Sequence, residues 1–242
     1  MTSRPVAEAV APAASVTAAA TPHAAESAHA APADAAPGIA ARLREATMAE
    51  HRHAESRPFI ADLMGGRLDL AEYTRYLAQL ARIYEALEAR PVREGEPEIL
   101  GDRALHRAAA ISSDLTALSS PRWRLENPSL PQTDAYVAHL GALAADDHVR
   151  FLAHHYTRYL GDLSGGQVMA TMLRRHYGAA DDQLTFFRFD GIDNLVHYKR
   201  AYRSALDALD VDQVAVTALV AEAKRAFDYN AAIFDALGAT RA

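Results

Sequence analysis

Cysteine is absent from this chain of 242 residues, which excludes disulfide bonds, thiolate zinc sites and iron–sulfur clusters. Any metal bound by side chains must therefore be held by His, Asp, Glu or Tyr. Positive charge is not in excess either, because the formal net charge is -6. This balance argues against broad electrostatic binding to nucleic acid or to an anionic membrane surface.

The N-terminal segment has little charge and no aromatic side chain. Residues 1–38 contain 16 Ala and 5 Pro, so they offer no large side chains to bury against a core. We therefore predict a disordered Ala/Pro-rich extension over 1–38, followed by one domain over 39–242. Prolines and Glu8 interrupt the weakly hydrophobic Ala tract, so no signal peptide is expected.

Beyond residue 38 the chain lacks the alternation of apolar and polar residues that is typical of strands, and helical spacing recurs instead. The predicted fold class is all-α, a single-domain helical bundle. Because no run of about 20 apolar residues is present, no membrane-spanning helix or anchor is predicted. The predicted helices cover residues 39–55, the stretch between Asp69 and Pro91, 102–118, 131–145, 147–177, 191–208 and 211–237.

One predicted helix contains three glycines. Residues 156–167 read YTRYLGDLSGGQ, and each glycine inside a helix costs about 1 kcal/mol relative to alanine. One interpretation is a plain loop between two short helices. The other is a kinked helix whose bare backbone lies against a large flat ligand. In that case Gly161 and Gly165 form a smooth surface, because residues four apart share a helix face.

Histidine is the remaining strong ligand for a transition metal, and the chain has 11 of them. His51 and His53 point about 200° apart on one helix, so they cannot bind the same ion. Glu55 lies four residues after His51 and can approach one imidazole nitrogen, which fixes the tautomer of a ligand. A His–Glu pair at this spacing also commonly serves only to stabilise a helix.

Two further sets of charged residues allow more than one interpretation. Asp162 lies among the glycines, where burial would raise its pKa unless a partner offsets the effect. It is therefore either a solvated side chain or the fixed acid of a proton relay. Lys199, Arg200 and Arg203 form a cationic face on a later helix. Such a face is usually only solvated, but Lys199 and Arg203 are placed together and can bind an anion.

The segment from Tyr159 to Gln167, YLGDLSGGQ, resembles the signature of haem oxygenases, in which this helix covers the distal face of haem. The resemblance implies a haem oxygenase-type fold, with haem between a proximal helix and a glycine-kinked distal helix. It covers essentially residues 39–237. Further matching segments are LREAT at 43–47, IYEALE at 83–88, YKRAYRS at 198–204 and EAKRAF at 222–227.

The resemblance implies roles for individual residues on the two faces of the haem. His51 matches the proximal ligand of the haem iron. Asp162 matches the aspartate that orders distal water for proton delivery, and the backbone of Gly161 and Gly165 limits access to the distal face. The positions that brace this water network are matched by Tyr84, Arg158 and Asn230.

The resemblance also implies how the edge of the haem is held. Lys199 and Arg203 match the pair that binds the propionates, and Arg44 occupies another position where relatives have a basic residue. Tyr156 is expected to donate a hydrogen bond. Met48 departs from the pattern, because mammalian members have a lysine there.

The implied reaction opens haem b, which is both cofactor and substrate, to biliverdin, CO and ferrous iron with O2. No Gly-x-Gly-x-x-Gly follows a strand, so no bound flavin or nicotinamide is expected and a separate NADPH-dependent reductase or ferredoxin must supply electrons. The resemblance further suggests a cytoplasmic monomer. One alternative is a haem or bilin carrier of the same fold. A di-iron enzyme would need Glu-x-x-His on two helices, and only Glu50 to His53 fits.

Overall fold

The computed structural model describes residues 37–94, 96–143 and 147–240. These residues form helices and no β-strand, so the predicted all-α class is confirmed. The predicted disordered extension lies outside the described residues except at its end. There the carbonyl of Gly38 accepts the first helical hydrogen bond, from the N–H of Arg42 at 3.0 Å.

Eleven α-helices are present in the described part of the chain. A π turn, Tyr156–Leu160, joins the eighth to the ninth, and short 3-10 turns occupy several connections. In chain order the α-helices are α1 Ile39–Ala46, α2 Met48–Glu55, α3 Pro58–Met64, α4 Leu70–Glu88, α5 Ala108–Leu118, α6 Trp123–Glu126, α7 Pro131–Leu143, α8 His148–His155, α9 Gly161–Tyr177, α10 Leu195–Asp207 and α11 Gln213–Ala239.

The prediction of one helix over residues 39–55 is wrong, because the chain forms α1 and α2 with a break at Thr47. This residue leaves the helical region with φ -103° and ψ 2°. Its hydroxyl donates to the carbonyl of Leu43 at 2.8 Å, a local bond of the kind that competes with regular helix. Pro58 is the first residue of α3, a position where the missing N–H of proline loses no helical hydrogen bond.

Side-chain caps explain several of the observed helix starts. Asp69 accepts a hydrogen bond from the N–H of Glu72 at 2.9 Å, which satisfies a free N–H in the first turn of α4. Asn194 and Asp212 cap α10 and α11 in the same way. These helices therefore begin at Leu195 and Gln213, after the predicted starts at residues 191 and 211. The helix predicted over 102–118 begins only at α5, after a 3-10 turn, and α6 was not predicted.

The core lies around α4 and α11. Leu77 and Tyr84 on α4 are fully buried, and this helix packs against α5 and α7. α11 packs against α8, α2 and α3, and it also contacts the π turn. Through these contacts α11 holds the two segments that carry the site, α2 and the π turn with α9. Among the helices described, none is both long and apolar enough to cross a membrane.

Candidate functional site

A cleft of about 750 Å³ is lined by α2, the π turn, α9 and parts of α4 and α11. Its volume lies within the usual range for small-molecule sites, about 300–1,000 Å³. Nine of the eleven residues to which the resemblance assigns a role line it, and Tyr84 and Lys199 do not. The nine are Arg44, His51, Tyr156, Arg158, Gly161, Asp162, Gly165, Arg203 and Asn230.

The glycine-rich segment is helical, so its interpretation as a plain loop is wrong. Residues Tyr156–Leu160 form the π turn, and Gly161 begins α9 directly after it. Single π turns within α-helices occur frequently at functional sites, because they change the direction in which side chains point. Here the π turn contains Arg158 and leads directly into α9, which carries Asp162. Both residues line the cleft.

The three glycines differ in their surroundings. A Cβ built on Gly161 or Gly165 would have no neighbouring atom within 4 Å. A Cβ on Gly166 would lie 3.2 Å from Cδ1 of Phe187, so a larger residue there would require the Phe187 ring to shift. Gly161 and Gly165 therefore present bare backbone to the cleft, as expected for a surface against which a flat ligand lies.

His51 lies on the cleft wall, and its side chain is 52% exposed. Its Nδ1 is 3.2 Å from Oε2 of Glu55, which leaves Nε2 as the nitrogen for a ligand. The imidazole also meets the edge of the Phe227 ring, with the ring centroids 5.5 Å apart. His53 is exposed and is not among the residues that line the cleft.

Asp162 belongs to a hydrogen-bond network that joins α9, α4, the π turn and α11. The hydroxyl of Tyr84 donates to Oδ2 of Asp162. Arg158 donates from Nε to the Tyr84 oxygen at 3.3 Å and from Nη1 to Oδ1 of Asn230 at 2.7 Å. Arg158 is buried, not the surface arginine that its sequence context alone suggests. Tyr84 thus acts on the cleft through Asp162.

Burial raises the pKa of Asp162 to about 6, although the charge of Arg158, the hydrogen bond from Tyr84 and the charge of Arg107 all lower it. A carboxyl group with this pKa gains and loses a proton near neutral pH. The site therefore holds a proton-exchanging group beside the bare backbone of Gly161.

The raised pKa predicts a pH-dependent effect of Asp162→Asn on stability. Between about pH 4 and pH 6 the folded protein binds the Asp162 proton more tightly than the unfolded chain, so ionisation of this group destabilises the fold as pH rises. The substitution removes that penalty. From pH 4 to pH 7 we expect its free energy of unfolding to rise relative to the unsubstituted protein by up to about 3 kcal/mol. Urea unfolding at several pH values measures the difference, and a constant difference would contradict this prediction.

Cationic side chains occur at one edge of the cleft. Arg44 on α1 and Arg203 on α10 line it together with Tyr156. Burial raises the pKa of Tyr156, while the charges of Arg203 and Arg44 oppose that rise, which places both cations beside its hydroxyl. Lys199 lies one turn before Arg203 and is outside the cleft lining, so the structure does not bring the predicted Lys199–Arg203 pair to the site. Met48 lines this region and is half-exposed.

Several contributors were not identified from the sequence. Phe227 and Phe234 line the cleft on either side of Asn230 on α11, and their spacing of three and four residues was the available signal. Arg107 acts on Asp162 electrostatically from outside α4 and α9, and no local pattern marks it. The di-iron alternative loses its one matching motif, because Oε1 of Glu50 lies 2.8 Å from Nζ of Lys224.

Known proteins resemble this chain over the helical region that contains the cleft. Residues 38–236 match the family model described as "Heme oxygenase". "Heme oxygenase 1" of Gallus gallus is 36% identical over 201 residues, which are 81% of this chain and 68% of that protein. "Heme oxygenase 1" of Synechocystis is 31% identical over 202 residues, or 82% and 84% of the two chains. The solved structure of heme oxygenase-1 from Synechocystis in complex with heme has a TM-score of 0.79 at 30% identity, covering 84% of this chain and 93% of that one.

Proposed function

Because this chain belongs to the haem oxygenase family, we propose that it binds haem b in the cleft and cleaves it with O2 and externally supplied electrons to biliverdin, CO and ferrous iron. One observation carries the proposal. A single cleft is lined by His51, whose Nδ1 is held by Glu55, and by the bare backbone of Gly161 and Gly165. Haem is thus both substrate and prosthetic group.

The residues of the cleft fit haem. Nε2 of His51 could bind the haem iron, since the carboxylate of Glu55 would hold the other ring nitrogen and raise the basicity of the imidazole. Phe227 and Phe234 add apolar surface for the macrocycle. Arg203 and Arg44 supply cations for the two carboxylates at its edge, with Tyr156 as a hydrogen-bond donor.

Bound haem supplies a redox-active iron and is also the molecule whose ring is opened. The chain supports this chemistry in three ways. His51 holds the ligand from one side. The backbone of Gly161 and Gly165 allows close approach on the other side and restricts the space there. Asp162 holds water and exchanges protons, and its network with Tyr84 and Arg158 fixes its position.

The proposal includes the partners of the reaction. Electrons come from a separate NADPH-dependent reductase or ferredoxin, because the sequence has no dinucleotide-binding fingerprint. The proposed working form is a cytoplasmic monomer. A carrier that binds haem or bilin without turnover would use the same cleft, so turnover itself distinguishes the two functions.

The test is a titration of the haem-free protein with haemin, followed by ascorbate or a reductase system in air. We expect saturable binding at one haem per chain, then loss of the haem absorption bands with appearance of biliverdin and CO. A stable histidine-ligated haem spectrum under these conditions would identify a carrier instead. Absence of saturable binding would contradict both functions.

The open backbone of Gly165 predicts a steric effect on haem binding alone. In Gly165→Leu the new side chain enters the cleft without meeting protein atoms at Cβ, so the fold is retained while haem affinity falls by at least about tenfold. Gly141→Leu is the matched control. Gly141 is also helical, also has no neighbour within 4 Å of an added Cβ, and lies outside the cleft. Equal affinities of the two variants in a haemin titration would contradict the placement of haem against α9.

A further inference from the structure

A second cluster of potential ligands lies away from the cleft, where α7, α8 and α11 meet. Nε2 of His139 and Nε2 of His154 lie 2.5 Å and 2.9 Å from the same oxygen, Oε1 of Glu222. The side chains of His154 and Glu222 are 0% and 4% exposed, and that of His139 is 17% exposed. Among the described residues these three form the group of His, Asp or Glu side chains whose ligand atoms lie within 4.8 Å of one another.

The proposed haem chemistry does not use this cluster, since none of its members lines the cleft. The cluster also exceeds what helix packing requires, because it places three polar side chains in a region that apolar side chains could fill. The arrangement therefore calls for a ligand or a specific structural role.

The surroundings of His154 resemble those of a metal ligand. Its Nδ1 is 3.0 Å from the hydroxyl of Tyr136, while its Nε2 faces Glu222. Histidines that bind a metal through one nitrogen typically hydrogen-bond a polar partner through the other, which orients the ring. Tyr136 is itself held in place by stacking on Tyr229, with ring centroids 4.6 Å apart. With a cation on Nε2 the ring proton would be on Nδ1, which would donate a hydrogen bond to the Tyr136 oxygen.

Glu222 supplies the acidic oxygen donor of the cluster. Its Oε1 faces both imidazoles, so one carboxyl oxygen and two ring nitrogens converge inside the protein. Arg225 lies 3.7 Å from its other oxygen, but the arginine side chain is 57% exposed and hence largely hydrated.

We propose that His139, His154 and Glu222 bind a divalent transition-metal ion, for which Zn²⁺ best matches the donor set. Two imidazole nitrogens and one carboxylate oxygen are a common set of three protein ligands for zinc. Water completes the coordination from the side of His139, the partly exposed member. Ligand atoms of a tetrahedral zinc lie about 3.4 Å apart, so the two short contacts lengthen by less than about 1 Å.

A cation at this position would cross-link the consecutive helices α7 and α8 to α11, which is distant from them in sequence. α8 continues into the π turn and α9, and α11 carries Asn230. The bound ion would therefore stabilise the scaffold behind the cleft, independently of haem. It would raise the temperature of unfolding, because it binds the folded chain and not the unfolded one.

The experiment titrates the full-length, chelator-treated protein with Co²⁺, which gives ligand-field absorption, and then with Zn²⁺ in competition with a chromophoric chelator. We expect one Co²⁺ per chain, displaced by Zn²⁺, and a higher unfolding temperature with Zn²⁺. His139→Ala is expected to weaken binding by at least about tenfold. This substitution lies at the partly exposed edge, so circular dichroism should show a folded protein. Glu222→Gln serves as a second variant.

Two control variants exclude other histidines. His197→Ala removes an exposed imidazole on α10, and His51→Ala removes the one in the cleft, and both are expected to keep the high-affinity Co²⁺ site. The proposal is overturned if the unsubstituted protein binds no stoichiometric Co²⁺, or if folded His139→Ala binds it equally well. Loss of the site in either control would likewise assign the metal to a surface or cleft histidine.

Discussion

Asp162→Ala is expected to bind haem with nearly unchanged affinity but to form biliverdin at least about 100-fold more slowly. The carboxyl group lies on the cleft wall beside Gly161, and its pKa of about 6 suits proton exchange near neutral pH. Alanine removes this group, and the Tyr84 hydroxyl loses its hydrogen-bond acceptor at the cleft. Single-turnover absorption spectra of the haem complex, with the same reductant for both proteins, measure the effect.

Tyr84→Phe provides a graded comparison for that experiment. It removes the hydroxyl that donates to Asp162 but keeps both the carboxyl group and the buried ring. We expect a smaller loss of rate than in Asp162→Ala, together with a shift in the pH profile of the reaction. If Asp162→Ala retained the full rate, the role of Asp162 in proton delivery would be wrong, although haem oxygenase activity itself would stand.

His51→Ala is expected to lower the affinity for haem by at least about tenfold and to reduce biliverdin formation to background. No second histidine is positioned to replace it, because among the described cleft residues His51 is the one imidazole. The substitution leaves a space into which free imidazole fits, and Glu55 remains to hydrogen-bond it. Added imidazole should therefore restore the low-energy haem absorption bands of the ligated form and part of the activity.

His53→Ala is the matched control for this prediction. The residue lies on the same helix, is exposed, and is absent from the cleft lining. Its replacement should leave haem affinity, spectrum and turnover unchanged. An unchanged spectrum in His51→Ala, or equal effects of the two substitutions, would show that another group ligates the haem iron.

Arg203 lines the cleft and Lys199 does not, which changes the set of cations available to the haem propionates. The resemblance implies a pair of cations for the propionates, yet in the structure Arg203 and Arg44 flank Tyr156 at the cleft. These two arginines come from α10 and α1, helices that pack against each other. The two arginines that line the cleft therefore come from two packed helices.

The features that the sequence alone determined depend on neighbours in the chain. Helical spacing defined the all-α class, and Asp69 caps the N–H of Glu72 because both lie within one turn. The placement of Glu55 beside His51 and the shared face of Gly161 and Gly165 follow from the helical repeat itself. Such relations hold wherever the helix lies in the fold.

Only the tertiary structure decided which of these features meet. Tyr84 and Asp162 are 78 residues apart, and His139 and Glu222 are 83 residues apart, so neither contact has a local signal. Burial of Arg158 and the raised pKa of Asp162 likewise depend on surrounding helices that exclude water. Contacts between residues distant in sequence form only when several helices pack together. The spacing of residues within one helix does not specify which other helices it packs against.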